Sequence, residues 1–103
     1  GQHFLLDLNV TRKIVRLAGP FDGADVIEVG PGPGGLTRAL LESDAGRVVL
    51  VEKDRRFIPL LGELDDGSGR LHIVEGDALA VKEAELAPGG AHLVSNLPYN
   101  VGT

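Results

Sequence analysis

A strand that runs straight into a glycine-rich turn and out into a helix leaves few folds open to a chain. Residues 28–37 read that way: Glu28-Val29-Gly30-Pro31-Gly32-Pro33-Gly34-Gly35-Leu36-Thr37. Asp25 to Val29 is a short apolar run of strand type, and Leu36, Ala39 and Leu40 set a helical period that opens near Gly34 and ends before Gly46. Glycines between the two let the backbone approach a ligand closely, and a helix N-terminus beyond them offers free N–H groups. The spacing Gly30-x-Gly32-x-x-Gly35 satisfies the dinucleotide-binding fingerprint, which is a weak signal alone. No Gly-Lys-Ser/Thr follows, so a nucleoside-triphosphatase phosphate loop is excluded.

The same rhythm continues along the chain. Val10, Ile14, Leu17 and Ala18 share one helical face, with Asn9 as the expected N-cap and Gly19-Pro20 as the stop. Arg47 to Val51 reads as a second strand. Phe57, Leu60, Leu61 and Leu64 mark a second amphipathic helix, with Pro59 tolerable only near its first turn. Asp66 to Gly69 is a turn, and Leu71 to Glu75 a third strand. Val81 to Ala87 reads as a short helix, Pro88-Gly89-Gly90 as a break, and Ala91 to Ser95 as a fourth strand. Strands rich in Val, Ile and Leu that alternate with helices predict an α/β fold, a parallel doubly wound sheet covered on both faces. Ligands in such folds sit at the carboxyl ends of the strands.

Composition narrows the class. The chain has 103 residues, 43% of them hydrophobic, enough for one small domain with a core. Cysteine is absent, which removes disulfides and cysteine-ligated metal, and no metal is expected. No apolar run approaches the ~20 residues of a membrane helix, and no signal pattern opens the chain. A cytoplasmic protein without membrane contact is the expectation. The net charge of −5 argues against a large basic nucleic-acid footprint. The chain lacks Met and stops just beyond Asn96-Leu97-Pro98-Tyr99-Asn100, so a fragment of a longer protein is expected.

Three further signals fall at strand ends. Glu52 closes the second strand about 20 residues beyond the glycines, the offset of a carboxylate that accepts from ribose hydroxyls. Asp77 follows the third strand, where a carboxylate can accept from an adenine amino group. Together with the glycine loop these form an adenosine pocket across successive strands. Asn96-Leu97-Pro98-Tyr99 follows the fourth strand, and a dehydrogenase has no need for it. An enzyme that acts on an amino group attached to a ring does. The lone pair of adenine N6 is delocalised, and acceptors aimed at its N–H groups draw electron density back to nitrogen. The Asn96 side-chain oxygen and the Leu97 carbonyl can serve as those acceptors. Pro98 stiffens the turn, and Tyr99 can stack on an extruded base.

These residues resemble the ribosomal RNA adenine dimethyltransferase family, over the whole chain from Gly1-Gln2-His3-Phe4-Leu5 to Asn96-Leu97-Pro98-Tyr99-Asn100. That family includes small-subunit RNA dimethyltransferases, mitochondrial transcription factor B proteins and erythromycin-resistance methyltransferases. The 28–37 run and Val51-Glu52-Lys53-Asp54 resemble the small-subunit branch most. The resemblance implies a Rossmann-like S-adenosylmethionine-dependent methyltransferase fold with seven strands. Residues 1–103 would carry the first four, in the N-terminal part of the catalytic domain, without the rest of that domain or the helical C-terminal one. It implies that Gln2, His3 and Leu5 lie over the cofactor, His3 standing where the family often has asparagine. It implies that Gly30 and Gly32 line the cofactor loop and Glu28 supports it. Glu52 would take the ribose, Asp77 and Ala78 the adenine, with Lys53 beside it or simply solvated. Asn96, at the cofactor as well as the target, would join Leu97, Pro98 and Tyr99 as the catalytic set. The cofactor is then S-adenosylmethionine, the partner ribosomal RNA of the small subunit, and the reaction double methylation of adenine N6.

Plainer roles stand beside these. Gly34 and Gly35 serve turn geometry as readily as ligand contact, and Gly46, Gly67 and Gly69 read as ordinary turns. His72 and His92 read as strand residues, Asp54 as a helix N-cap, and Arg12, Lys13 and Arg16 as a solvated stripe. Two other functions compete: a non-catalytic nucleic-acid-binding factor of the same fold, and an NAD-dependent oxidoreductase. The glycine spacing supports the oxidoreductase, but Gln2 to Leu5 and Asn96 to Tyr99 do not.

Overall fold

A computed structural model describes residues 7–77 and 91–95. The chain enters through helix α1 (Leu8–Ala18), followed by strand β1 (Asp25–Val29), helix α2 (Gly35–Glu42) and strand β2 (Val48–Glu52). A single 3₁₀ turn (Arg55–Phe57) leads into a short helix α3 (Ile58–Gly62), then strands β3 (Leu71–Glu75) and β4 (Ala91–Ser95) follow. The helix expected over residues 81–87 lies outside the described residues.

The four strands pair in parallel in the order β3-β2-β1-β4. This is the Rossmann-like arrangement, and its order reverses between β1 and β4. Ligand crevices open at such a switch point, beyond the carboxyl ends of the strands. Val29, the last residue of β1, is in register with Val51 of β2 and Ser95 of β4, and Glu52 with Glu75 of β3. All four strand ends therefore deliver their following residues to one edge.

Strand alternation divides the core. Val26, Val48 and Leu50 face α1, α2 and α3, where Val15, Leu36, Ala39, Leu40 and Leu61 complete the larger cluster. Ile27, Val49 and Val51 form a second cluster on the opposite face, with Val29 and Val74 packed against it. A sheet with apolar side chains buried on both faces is what continuous Val-Ile-Leu strands dictate. Each fully buried aliphatic side chain contributes about 1.5–3 kcal/mol.

Helix α1 departs from expectation twice. Its N-cap is Asp7, whose carboxylate accepts from the Asn9 N–H at 2.9 Å; Asn9 is already inside the helix. Its buried positions are Thr11 and Val15, whereas Val10, Ile14 and Leu17 are exposed. The contact that orients it is with α2, and the exposed Arg12–Glu42 ion pair at 2.7 Å lies between the same two helices. The second amphipathic helix also comes out shorter than its apolar spacing suggests. Phe57 belongs to the 3₁₀ turn and Pro59 sits in the first turn of α3, where its missing N–H costs nothing. Leu61 is buried, while Leu60 is exposed.

Candidate functional site

The glycine loop is shaped by its own backbone. Gly30, Gly32 and Gly34 all hold positive φ, at 72°, 58° and 96°. Gly34 is the left-handed N-cap residue of α2, and no side chain caps that helix. A Cβ on Gly34 would stand 2.6 Å from Leu64 Cδ1, so here the glycine serves packing as well as the turn. At Gly32 the opposite holds: nothing lies within 4 Å of where a Cβ would be. Open space beside a bare backbone segment is what a ligand-approach loop requires.

Glu52 locks this loop to the end of β2. It is buried, with 4% exposure, and both carboxylate oxygens are engaged. Oε1 accepts the Gly32 N–H and Oε2 the Asp54 N–H, each at 2.8 Å. A carboxylate offers roughly four lone-pair sites, so each oxygen retains acceptor capacity for a ribose hydroxyl. The Glu52 carbonyl accepts from Gly76 N–H at 2.9 Å, which brings the Gly76-Asp77 segment beside the same strand end. Asp77 and Lys53 are both exposed there. Asp54 has the plainer role the sequence suggested. Its side chain caps the 3₁₀ turn through Arg56 N–H, and the hydrogen-bonded Arg56 guanidinium holds its carboxyl down at about 2.

Glu28 lies beneath the loop, fully buried on the α2 side of β1. Its Oε1 accepts from Thr37 Oγ1 at 2.6 Å, and Thr37 is fully buried too. Oε2 is buried with no hydrogen-bond partner among the described residues. Burial pushes the Glu28 carboxyl up to about 7, against the pull of the Thr37 hydrogen bond and with a further push from Glu52.

The structure thus brings together Glu28, Gly30, Gly32, Glu52, Lys53 and Asp77 at adjacent strand ends. Gln2, His3, Leu5, Ala78, Asn96, Leu97, Pro98 and Tyr99 lie outside the described residues. Leu8, at the start of α1, borders a cleft of about 200 Å³ with Pro33, Gly34, Gly35 and Arg38. Two supporting residues escaped the sequence reading. Thr37 was legible in principle: a polar residue on an apolar helix stripe and an acid inside an apolar strand each need a partner. Arg70 was not. Its guanidinium donates to the carbonyls of Leu41, Ala45 and Gly46 at 2.8–3.1 Å, tying the entrance of β3 to the exit of α2.

The site residues fit an adenosine-bearing cofactor. Open backbone at Gly32 and a buried carboxylate with spare acceptor sites meet at the ends of β1 and β2, above a Glu28 oxygen that has no partner among the described residues. The ribosomal RNA adenine dimethylase family model matches residues 1–103. The chain is 69% identical, along its whole length, to ribosomal RNA small subunit methyltransferase A of Caulobacter vibrioides, covering 40% of that protein. It is 56% identical to the protein of the same name from Agrobacterium fabrum, covering 38% of it. The chain therefore spans about two-fifths of the length of these curated relatives. Among solved structures, the 23S rRNA methyltransferase ErmE superposes with a TM-score of 0.71 at 30% identity, over 91% of this chain and 37% of that one. A dimethyladenosine transferase from Plasmodium falciparum gives 0.67 at 29% identity, over 90% and 33%.

Proposed function

The chain belongs to the ribosomal RNA adenine dimethylase family, and on that premise we propose that the whole protein methylates N6 of adenines in small-subunit ribosomal RNA, with S-adenosylmethionine as donor. One observation carries the reading. Val29, which leads into the glycine loop, is in register with Ser95, whose next residue in the chain is Asn96. The glycine loop and the Asn-Leu-Pro-Tyr run thus follow neighbouring strand ends in the chain, at the switch point where ligand crevices open, which supports a shared site for donor and acceptor.

When bound, S-adenosylmethionine supplies a methyl group activated by its sulfonium. Glu52 accepts from the ribose hydroxyls through the lone pairs its two backbone bonds leave free. Asp77, with Ala78, would receive the adenine, and Gln2, His3 and Leu5 would serve the methionine part. At the target, the Asn96 side-chain oxygen and the Leu97 carbonyl accept the N6 hydrogens and orient the nitrogen lone pair. Pro98 limits the turn's freedom, and Tyr99 stacks on the extruded base. Catalysis rests on positioning and on polar groups aimed at N6. The methylated nitrogen is acidic and passes its proton to water.

The test is transfer of labelled methyl to small-subunit RNA by the whole protein, alongside Asn96→Ala and Tyr99→Ala. Both variants should transfer at least roughly 100-fold more slowly, as expected for lost transition-state acceptors and positioning, and Tyr99→Ala should still bind cofactor normally. Cofactor binding without methyl transfer by the wild type would favour the non-catalytic factor instead.

A further inference from the structure

Glu28 and Thr37 bracket the glycine loop. Glu28 stands two residues before Gly30, Thr37 three after Gly34, and the 2.6 Å hydrogen bond between them closes the loop's base. Both are fully buried, and the second Glu28 oxygen has no partner among the described residues. The neighbours of Glu28 across the sheet are neutral, Leu50 on β2 and Val94 on β4. From α2 it faces the Thr37 hydroxyl. The charged group that acts on it is Glu52, a second carboxylate.

We propose that Thr37 and Glu28 form a buried positioning pair through which cofactor binding is coupled to loss of the Glu28 proton. The inference rests on the reading of this loop as the S-adenosylmethionine site. With burial raising its carboxyl to about 7 and Glu52 the charged group acting on it among the described residues, Glu28 keeps a substantial part of its proton near neutrality. S-adenosylmethionine carries a sulfonium, an ammonium and one carboxylate, a net single positive charge. A cation delivered to the loop favours the ionised carboxylate. The proton leaves to solvent, and Thr37 holds Oε1 of the anion. S-adenosylhomocysteine has lost the sulfonium charge and is net neutral, so its binding displaces the proton less. The coupling therefore favours the loaded donor over the spent product as pH rises through neutrality.

The experiment is calorimetric titration of the whole protein with each of the two ligands, on either side of neutral pH, in buffers of different ionisation heat. Near pH 7 the wild type should release a substantial fraction of a proton on binding S-adenosylmethionine and clearly less with S-adenosylhomocysteine. Glu28→Gln should remove the difference in release between the two ligands. Thr37→Val should move the pH profile upward by about one unit, the shift expected when one hydrogen bond to a charged group is lost, and Thr37→Ser should restore it. A merely structural role for Thr37 would weaken binding without moving that profile. Binding with identical proton release in wild type and Glu28→Gln overturns the proposal and leaves the cofactor reading intact. Failure to bind either ligand at any pH overturns both. If Thr37→Val does not fold, the comparison of wild type with Glu28→Gln still decides.

Discussion

At the residue scale, the two buried acids have different work. Glu52 holds two backbone N–H groups at once, so an amide cannot replace it. Glutamine would turn one NH₂ toward an N–H donor. Glu52→Gln should therefore weaken S-adenosylmethionine binding nearly as much as Glu52→Ala, by roughly 1–3 kcal/mol, measured by calorimetry. Glu28 leaves its mark on stability. Its folded-state pKa of about 7 stands above the ordinary 4.5, so the folded chain binds this proton more tightly than the unfolded one. Its contribution is complete below about pH 4.5 and is lost as pH rises through 7. Urea unfolding of the whole protein should show up to about 3 kcal/mol of stability lost across that window. The same series on Glu28→Gln should lack this component.

At the scale of elements, local pattern sufficed wherever the chain's own run was decisive. Strands β1, β3 and β4 fall where apolar runs bounded by Gly, Asp and Pro put them, and β2 is displaced by one residue, to Val48–Glu52. Glu28, Gly30, Gly32 and Glu52 were legible because strand ends and a glycine turn are local features. Contacts between distant segments were not. Val10, Ile14 and Leu17 look like a core face, yet docking of α1 on α2 buries Thr11 and Val15. Gly46 reads as an ordinary turn, but a Cβ there would stand 2.2 Å from the Gly23 carbonyl oxygen. It is a close-approach glycine, made necessary by a segment 23 residues earlier. Gly46→Ala should cost at least roughly 2 kcal/mol, because backbone must move. Gly67→Ala should cost only about 1 kcal/mol, since nothing is near and only its positive φ resists. Thermal unfolding of the two variants side by side checks the ranking.

At the scale of the molecule, the described sheet ends at β3 on one side and β4 on the other. Apolar side chains are exposed on β4, where Leu93 is 55% exposed, and on α1, where Leu17 is 78% exposed and Val10 and Ile14 are exposed too. Outer strands and uncovered apolar faces invite association. The 103-residue chain expressed alone should self-associate or unfold without a sharp transition, as read by sedimentation and urea titration. A monodisperse monomer with a single cooperative transition would contradict this. The glycine loop itself is better provided for. Because the Glu52 carboxylate ties Gly32 to Asp54 through hydrogen bonds made within the protein, the loop's shape is held by its own chain. Little ordering entropy is then spent at the moment of binding. Ligands that use this loop should then differ in affinity mainly through how fast each one leaves.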